Sequence, residues 1–104
     1  MNFNTIKQYD LSMIYITSRN CNVCKSIFPK LSAVISNYEK CNFTRIETDE
    51  YPAAAGEFMT FSVPTVLLFS RGRELYRESR FIDLQTIESK VEKYYNIIFK
   101  EGTI

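Results

Sequence analysis

Cys21 and Cys24 stand three residues apart, with Asn22 and Val23 between them, where an apolar run ending at Thr17 gives way to a long helical pattern that starts near Asn22. If both elements form, the two sulfurs lie at the first turn of a helix. There the unpaired backbone N–H groups and the positive end of the helix dipole favour a thiolate. A thiolate at Cys21 can attack a disulfide, and Cys24, one helical turn on, is placed to resolve the mixed disulfide that results. The chemistry this spacing predicts is thiol–disulfide exchange. The same residues admit two blander readings, as inert small hydrophobes or as half of a zinc site. A tetrahedral zinc site needs four ligands, and the chain has no histidine and only Cys41 left among soft ligands, so no metal or cofactor is expected. Cys41, at a polar turn after the first long helix, is read as a packing residue.

The elements that must hold this pair follow from periodicity. Phe3, Ile6 and Tyr9 have helical spacing and predict a short lead-in helix or turn over 3–10. Residues 11–17, with Met13-Ile14-Tyr15-Ile16 at their centre, have the apolar continuity of a central strand covered on both faces. After the turn Ser18-Arg19-Asn20, the spacing of Val23, Ile27, Leu31, Val34 and Tyr38 predicts one buried helical stripe running to about 37. Pro29 falls inside it and predicts a kink without an end. Residues 43–48 read as a strand with Phe43, Arg45 and Glu47 on one face and Thr44, Ile46 and Thr48 on the other. A short helix over 51–59 has Pro52 at a suitable first position. After the loop 60–63, residues 66–69 and 74–77 form an antiparallel hairpin turning at Gly72. Asp83 is the expected N-cap of a last helix with Leu84, Ile87, Val91, Tyr94 or Tyr95, and Ile98 as its apolar positions, and the tail from Lys100 is expected to fray. Phe58, Phe61 and Phe69 are assigned to the core, with the rim of the site as the other place for Phe61. The charges Arg71, Arg73, Glu74, Arg77, Glu78 and Arg80 read as a solvated strand face.

Composition bounds what such a chain does. Its 104 residues match the common size of one domain, and 45% apolar and 14% aromatic residues with three glycines and three prolines are those of a globular chain. One domain over 1–104 is expected. A formal charge of +1 provides no field for nucleic acid or an anionic membrane. The run Val66-Leu67-Leu68-Phe69 is far too short to span a bilayer, and the first residues lack a basic segment followed by an apolar stretch, so neither export nor membrane embedding is expected. Three cysteines are an odd number and too few for a disulfide scaffold, which points to a reducing, cytoplasmic setting.

Strands separated by helices and closed by a hairpin make a mixed α/β sheet with helices on both faces. That order, with Cys-x-x-Cys at the start of the first long helix, Lys25 directly after it, Pro29 five residues beyond Cys24, Val63-Pro64-Thr65 before the hairpin and the turn at Gly72, resembles the thioredoxin family over about residues 10–98. The resemblance implies a thioredoxin-like fold with about four strands, and a cis peptide bond before Pro64. It implies that Cys21 attacks, that a more buried Cys24 resolves, and that the backbone around Val63 and Pro64 holds an extended substrate segment. The groups that tune the site differ from the family pattern. Asn20 replaces a tryptophan, and Asn22 and Val23 replace Gly-Pro. Tyr15 aligns with a buried acid, Arg45 with the lysine paired to it, and Arg80 with a groove glycine. A tyrosine with an ordinary pKa of about 10 is a poor base at neutral pH. An arginine at the rim would favour acidic partners.

The function these residues imply is a monomeric thiol–disulfide oxidoreductase that reduces protein disulfides through Cys21 and Cys24. It would be reloaded by a thioredoxin-reductase-like partner or a small thiol. The competing reading is a redox-inactive binding module of the same fold, docking a partner through the groove near Pro64 and Arg80.

Overall fold

Residues 1–100 are described by a computed structural model. The strand β1, Ser12–Thr17, is buried at every position. On one edge it pairs in parallel with β2, Asn42–Glu47, and on the other it pairs antiparallel with β3, Thr65–Ser70. β4, Arg73–Ser79, is antiparallel to β3, which gives the order β2-β1-β3-β4 among the described residues. A strand with neighbours on both edges and cover on both faces has no position that water reaches, hence the unbroken apolar run in its sequence.

Side chains alternate across the sheet and build two cores. Met13 and Tyr15 of β1 and Val66 and Leu68 of β3 meet the helices α2, Asn22–Ile35, and α4, Leu84–Tyr95, through Leu31, Ile35, Ile87, Val91 and Tyr95. On the other face, Ile14, Ile16, Ile46, Leu67 and Phe69 meet Phe3 and Ile6 of α1, Phe3–Lys7, together with Ala54 of α3, Ala54–Glu57, and Phe58. The sheet is therefore mixed, with helices on both faces.

The helix starts follow side-chain capping. Asn2 accepts from the N–H groups of Asn4 and Thr5, and Asp83 from those of Gln85 and Thr86. α2 continues through Pro29 to Ile35. The hairpin turns through Arg71 and Gly72, at φ 50° and 86°. The Gly72 N–H donates to the Lys7 carbonyl at 2.7 Å, and a Cβ on this glycine would stand 2.7 Å from Gln8 Nε2. A glycine takes this φ without strain, whereas a side chain would be strained there and would also displace the end of Gln8.

Several expectations are corrected. α1 ends at Lys7, and Tyr9 is 45% exposed. Of the expected stripe, Leu31 is buried and Ile27, Val34 and Tyr38 are half-buried, but Cys24 and Ile35 join the buried set and Val23 points outward, 56% exposed. Burial of Cys24 fixes the rotation of the helix, and the neighbouring residue must then turn away. α3 is shorter than 51–59, and Pro52 lies in the turn before it. Ala53 provides no capping side chain, and Met59 at φ 49° stops any continuation. β2 starts at Asn42 and stops at Glu47, while β3 and β4 each extend beyond the expected ends. The last α-helix ends at Tyr95 and passes into a π-helical turn, Asn96–Lys100, which carries Ile98. Fraying expected beyond Lys100 lies outside the described residues. Phe58 and Phe69 are buried, but Phe61 is 86% exposed and belongs to no core. Arg77 is half-buried: its guanidinium makes a two-pronged pair with Glu74 and donates to the carbonyls of Phe58 and Met59, tying the end of α3 to β4.

Candidate active site

Cys21 is the N-cap of α2, with φ −90° and ψ 101°, and its Sγ accepts the Cys24 N–H at 3.1 Å. The turn before it closes with the Cys21 N–H on the Ser18 carbonyl, and the helix opens with the Lys25 N–H on the Cys21 carbonyl. Cys21 and Cys24 are joined by a disulfide, with Cα atoms 5.2 Å apart. Cys21 is half-buried and Cys24 only 1% exposed, so solvent and partners meet the first sulfur and not the second. Asn20, Asn22, Val23 and Lys25 are all exposed around the pair. The backbone N–H held on Cys21 Sγ and the helix end behind it are the features that lower a thiol pKa once the bond is reduced.

Tyr15 lies beneath the pair, wholly buried, and its hydroxyl donates to the Cys24 carbonyl at 2.7 Å. Burial pushes its pKa up to about 12, opposed by the positive charge of Arg45. Arg45 stands opposite Tyr15 in the β1–β2 register, and its guanidinium lies 5.0 Å from the centre of the Phe28 ring, which stacks between Tyr15 and Phe43. A cavity of about 270 Å³ reaches Cys24 beside these groups, lined also by Ser18, Arg19, Lys25 and Glu47. The Arg19 Nε donates to Glu47 Oε1 at 3.2 Å.

On the sheet side of the site the Val63–Pro64 peptide bond is cis, and Pro64 is buried. Val63 packs on the same core cluster as Cys21, and with Thr60, Phe61 and Ser62 it lines an open depression of about 360 Å³. The Arg80 N–H donates to the Pro64 carbonyl at 2.8 Å, which ties the end of β4 to this loop. Arg80 itself is exposed at φ 70°, in the left-handed region that disfavours a side chain. Phe81 follows it, 87% exposed.

Cys21, Cys24, Tyr15 and Lys25 are brought together with Arg45, and Val63, Pro64 and Arg80 with one another. Glu47 and Arg19 line the cavity beside Cys24 although neither was expected at the site. The signal for Glu47 was its place on the same strand face as Phe43 and Arg45, two residues on. Among the described residues, no group of three or more His, Cys, Asp or Glu is arranged to hold a metal ion, and no helix is long and apolar enough to cross a membrane.

Comparison with known proteins agrees with this geometry. A family model described as Thioredoxin matches residues 2–93. The thioredoxin-like protein YdfQ of Bacillus subtilis is 36% identical over 94 residues, covering 90% of this chain and 84% of that protein. Thioredoxin NaTrxh from Nicotiana alata superposes with a TM-score of 0.79 at 30% identity, over 88% of this chain and 80% of that one. Oxidised thioredoxin O2 from Arabidopsis thaliana has the same fold at a TM-score of 0.80 and 22% identity, over 88% and 83% of the two chains.

Proposed function

Because the chain belongs to the thioredoxin family and carries a Cys-x-x-Cys pair at disulfide distance, which supports thiol–disulfide oxidoreductase chemistry, we propose that it works as a reductase of protein disulfides. The observation that carries this reading is the asymmetry of the pair, an accessible Cys21 capping α2 and a buried Cys24 one turn on. Once the pair is reduced, the Cys21 thiolate attacks one sulfur of a substrate disulfide and releases the other as a thiolate. Cys24 then attacks Cys21 Sγ, forming the intramolecular disulfide and releasing the second substrate sulfur. The backbone at Val63 and Pro64 holds the extended substrate segment beside the sulfurs, and Arg80 at the rim favours segments with acidic residues. Asn20, Asn22, Val23, Lys25 and Tyr15 tune the pair. A reductase partner or a small thiol returns the electrons. The absence of an imidazole between or beside the cysteines supports the reducing direction. A monomer in a reducing cytoplasm completes the reading.

The test is turnover of a protein disulfide with dithiothreitol as donor. Cys21→Ser should abolish it, and reduced Cys24→Ser mixed with substrate after removal of dithiothreitol should hold the substrate as a mixed disulfide on Cys21, detected by mass spectrometry. Full turnover by Cys21→Ser would overturn the assignment. Binding of the same substrate by the double variant, without turnover in the native protein, would favour a docking module instead.

A further inference from the structure

We propose that Glu47 accepts the proton of Cys24 in the resolving step, through water in the cavity that the two residues share. The inference rests on the dithiol cycle above and adds the group that makes its second half possible. Cys24 is 1% exposed, so its thiol has no direct route for a proton to bulk solvent, and burial favours the neutral form that cannot attack. The Tyr15 hydroxyl is spent as a donor to the Cys24 carbonyl and stays protonated at neutral pH. The cavity beside Cys24 is lined by three cations, Arg19, Lys25 and Arg45, and by a single carboxylate, Glu47. At about 270 Å³ it is large enough for several waters, and its charged walls supply their partners.

The groups facing the cavity divide the work. Glu47 at the end of β2 stands opposite Thr17, two residues beyond the Tyr15–Arg45 pair, and lines the cavity, with the Arg19 pair orienting its carboxylate. Arg45 is held over the Phe28 ring, and Lys25 follows Cys24 on α2. These cations favour the thiolate that forms. In the step itself the Cys24 S–H proton passes along water to the Glu47 carboxylate. The sulfur lone pair attacks Cys21 Sγ of the mixed disulfide, the Cys21–Cys24 bond forms, and the bond from Cys21 to the substrate sulfur breaks. That sulfur leaves as a thiolate, and Glu47 returns its proton to solvent. The substrate is the oxidant, and no other reactant is needed.

The experiment mixes the reduced protein with dithiobis(nitrobenzoate), whose released thiolate is coloured. Attack by Cys21 is a second-order phase, and resolution by Cys24 is a concentration-independent phase that releases the second equivalent. Glu47→Gln should leave the attack phase unchanged and slow the resolution phase by about 100-fold near neutral pH, the size of a general-base contribution. The deficit should shrink as pH rises and hydroxide replaces the carboxylate. Glu47→Asp should recover part of the rate, because it restores a carboxylate. Arg19→Met removes the ion-pair partner but keeps the carboxylate, so it should slow resolution far less than Glu47→Gln. The proposal is overturned if Glu47→Gln resolves like the native protein at every pH, or if Arg19→Met slows resolution equally, since a merely structural ion pair predicts equal losses. A native protein that releases one equivalent and forms no Cys21–Cys24 disulfide would instead overturn the dithiol cycle on which the proposal stands.

Discussion

Replacing Tyr15 by phenylalanine removes one hydroxyl from the centre of the molecule and leaves the ring that stacks on Phe28 in place. No void of side-chain size is created, so the cost is that of the hydrogen bond to the Cys24 carbonyl at 2.7 Å. By helix geometry that carbonyl keeps the N–H four residues on as a second donor, so it is not orphaned. The net loss is then about 1 kcal/mol, equivalent to a fall of about 5 °C in Tm for a chain of this size. Alkaline pH reverses the sign. The folded Tyr15 pKa is raised from 10.0 to about 12, so between those values the native state holds a proton that the unfolded state has lost. Stability therefore falls as pH rises through this window, by about 1.4 kcal/mol per unit for this group alone. The Tyr15→Phe variant lacks that slope, and the two stability curves should cross near about pH 11. Tyr76, raised by its hydrogen bond to Glu78, and Cys41, raised by burial, contribute their own alkaline losses, but these are common to both proteins and cancel in the difference. Urea unfolding of the two oxidised proteins from neutral pH to pH 12 measures both effects. Equal alkaline slopes would refute a hydroxyl kept protonated by burial, and a variant more stable at neutral pH would refute a net contribution from the bond.

Cys41 is 5% exposed and its thiol is pushed up to about 12 by burial, so iodoacetamide at mildly alkaline pH should label Cys21 of the reduced protein and reach Cys41 only after unfolding. Peptide mapping that finds Cys41 labelled as fast as Cys21 would contradict its placement. Arg80→Gly relieves a left-handed side-chain conformation at a cost in unfolded-chain entropy, for a net gain of about 0.5 kcal/mol in stability. The same variant should reduce acidic disulfide peptides with a higher KM and neutral ones as before. Equal KM changes for both would remove Arg80 from partner selection.

Elements with local signals are legible in the chain alone. Four adjacent apolar residues at Met13-Ile14-Tyr15-Ile16 admit no exposed strand, and Asp83 before an apolar helical pattern specifies where α4 starts. The spacing of Cys21 and Cys24 at the strand–helix junction points to thiol–disulfide exchange, because capping and the helix dipole act within one turn. The alternation in β2 also correctly placed Arg45 and Glu47 on one face.

What that face meets was decided only by tertiary structure. Parallel pairing of β1 with β2 sets Tyr15 beside Arg45 and Thr17 beside Glu47, and the packing of α2 closes a cavity between them and Cys24. Periodicity shows which residues share a face, but it carries no information about which distant strand or helix covers that face. The same limit explains Val23, turned outward by the burial of Cys24, and Phe61, which lies on the surface in the loop before Pro64. Hydrophobicity alone places such residues inside, whereas the packing of their neighbours decides which side chains the core admits.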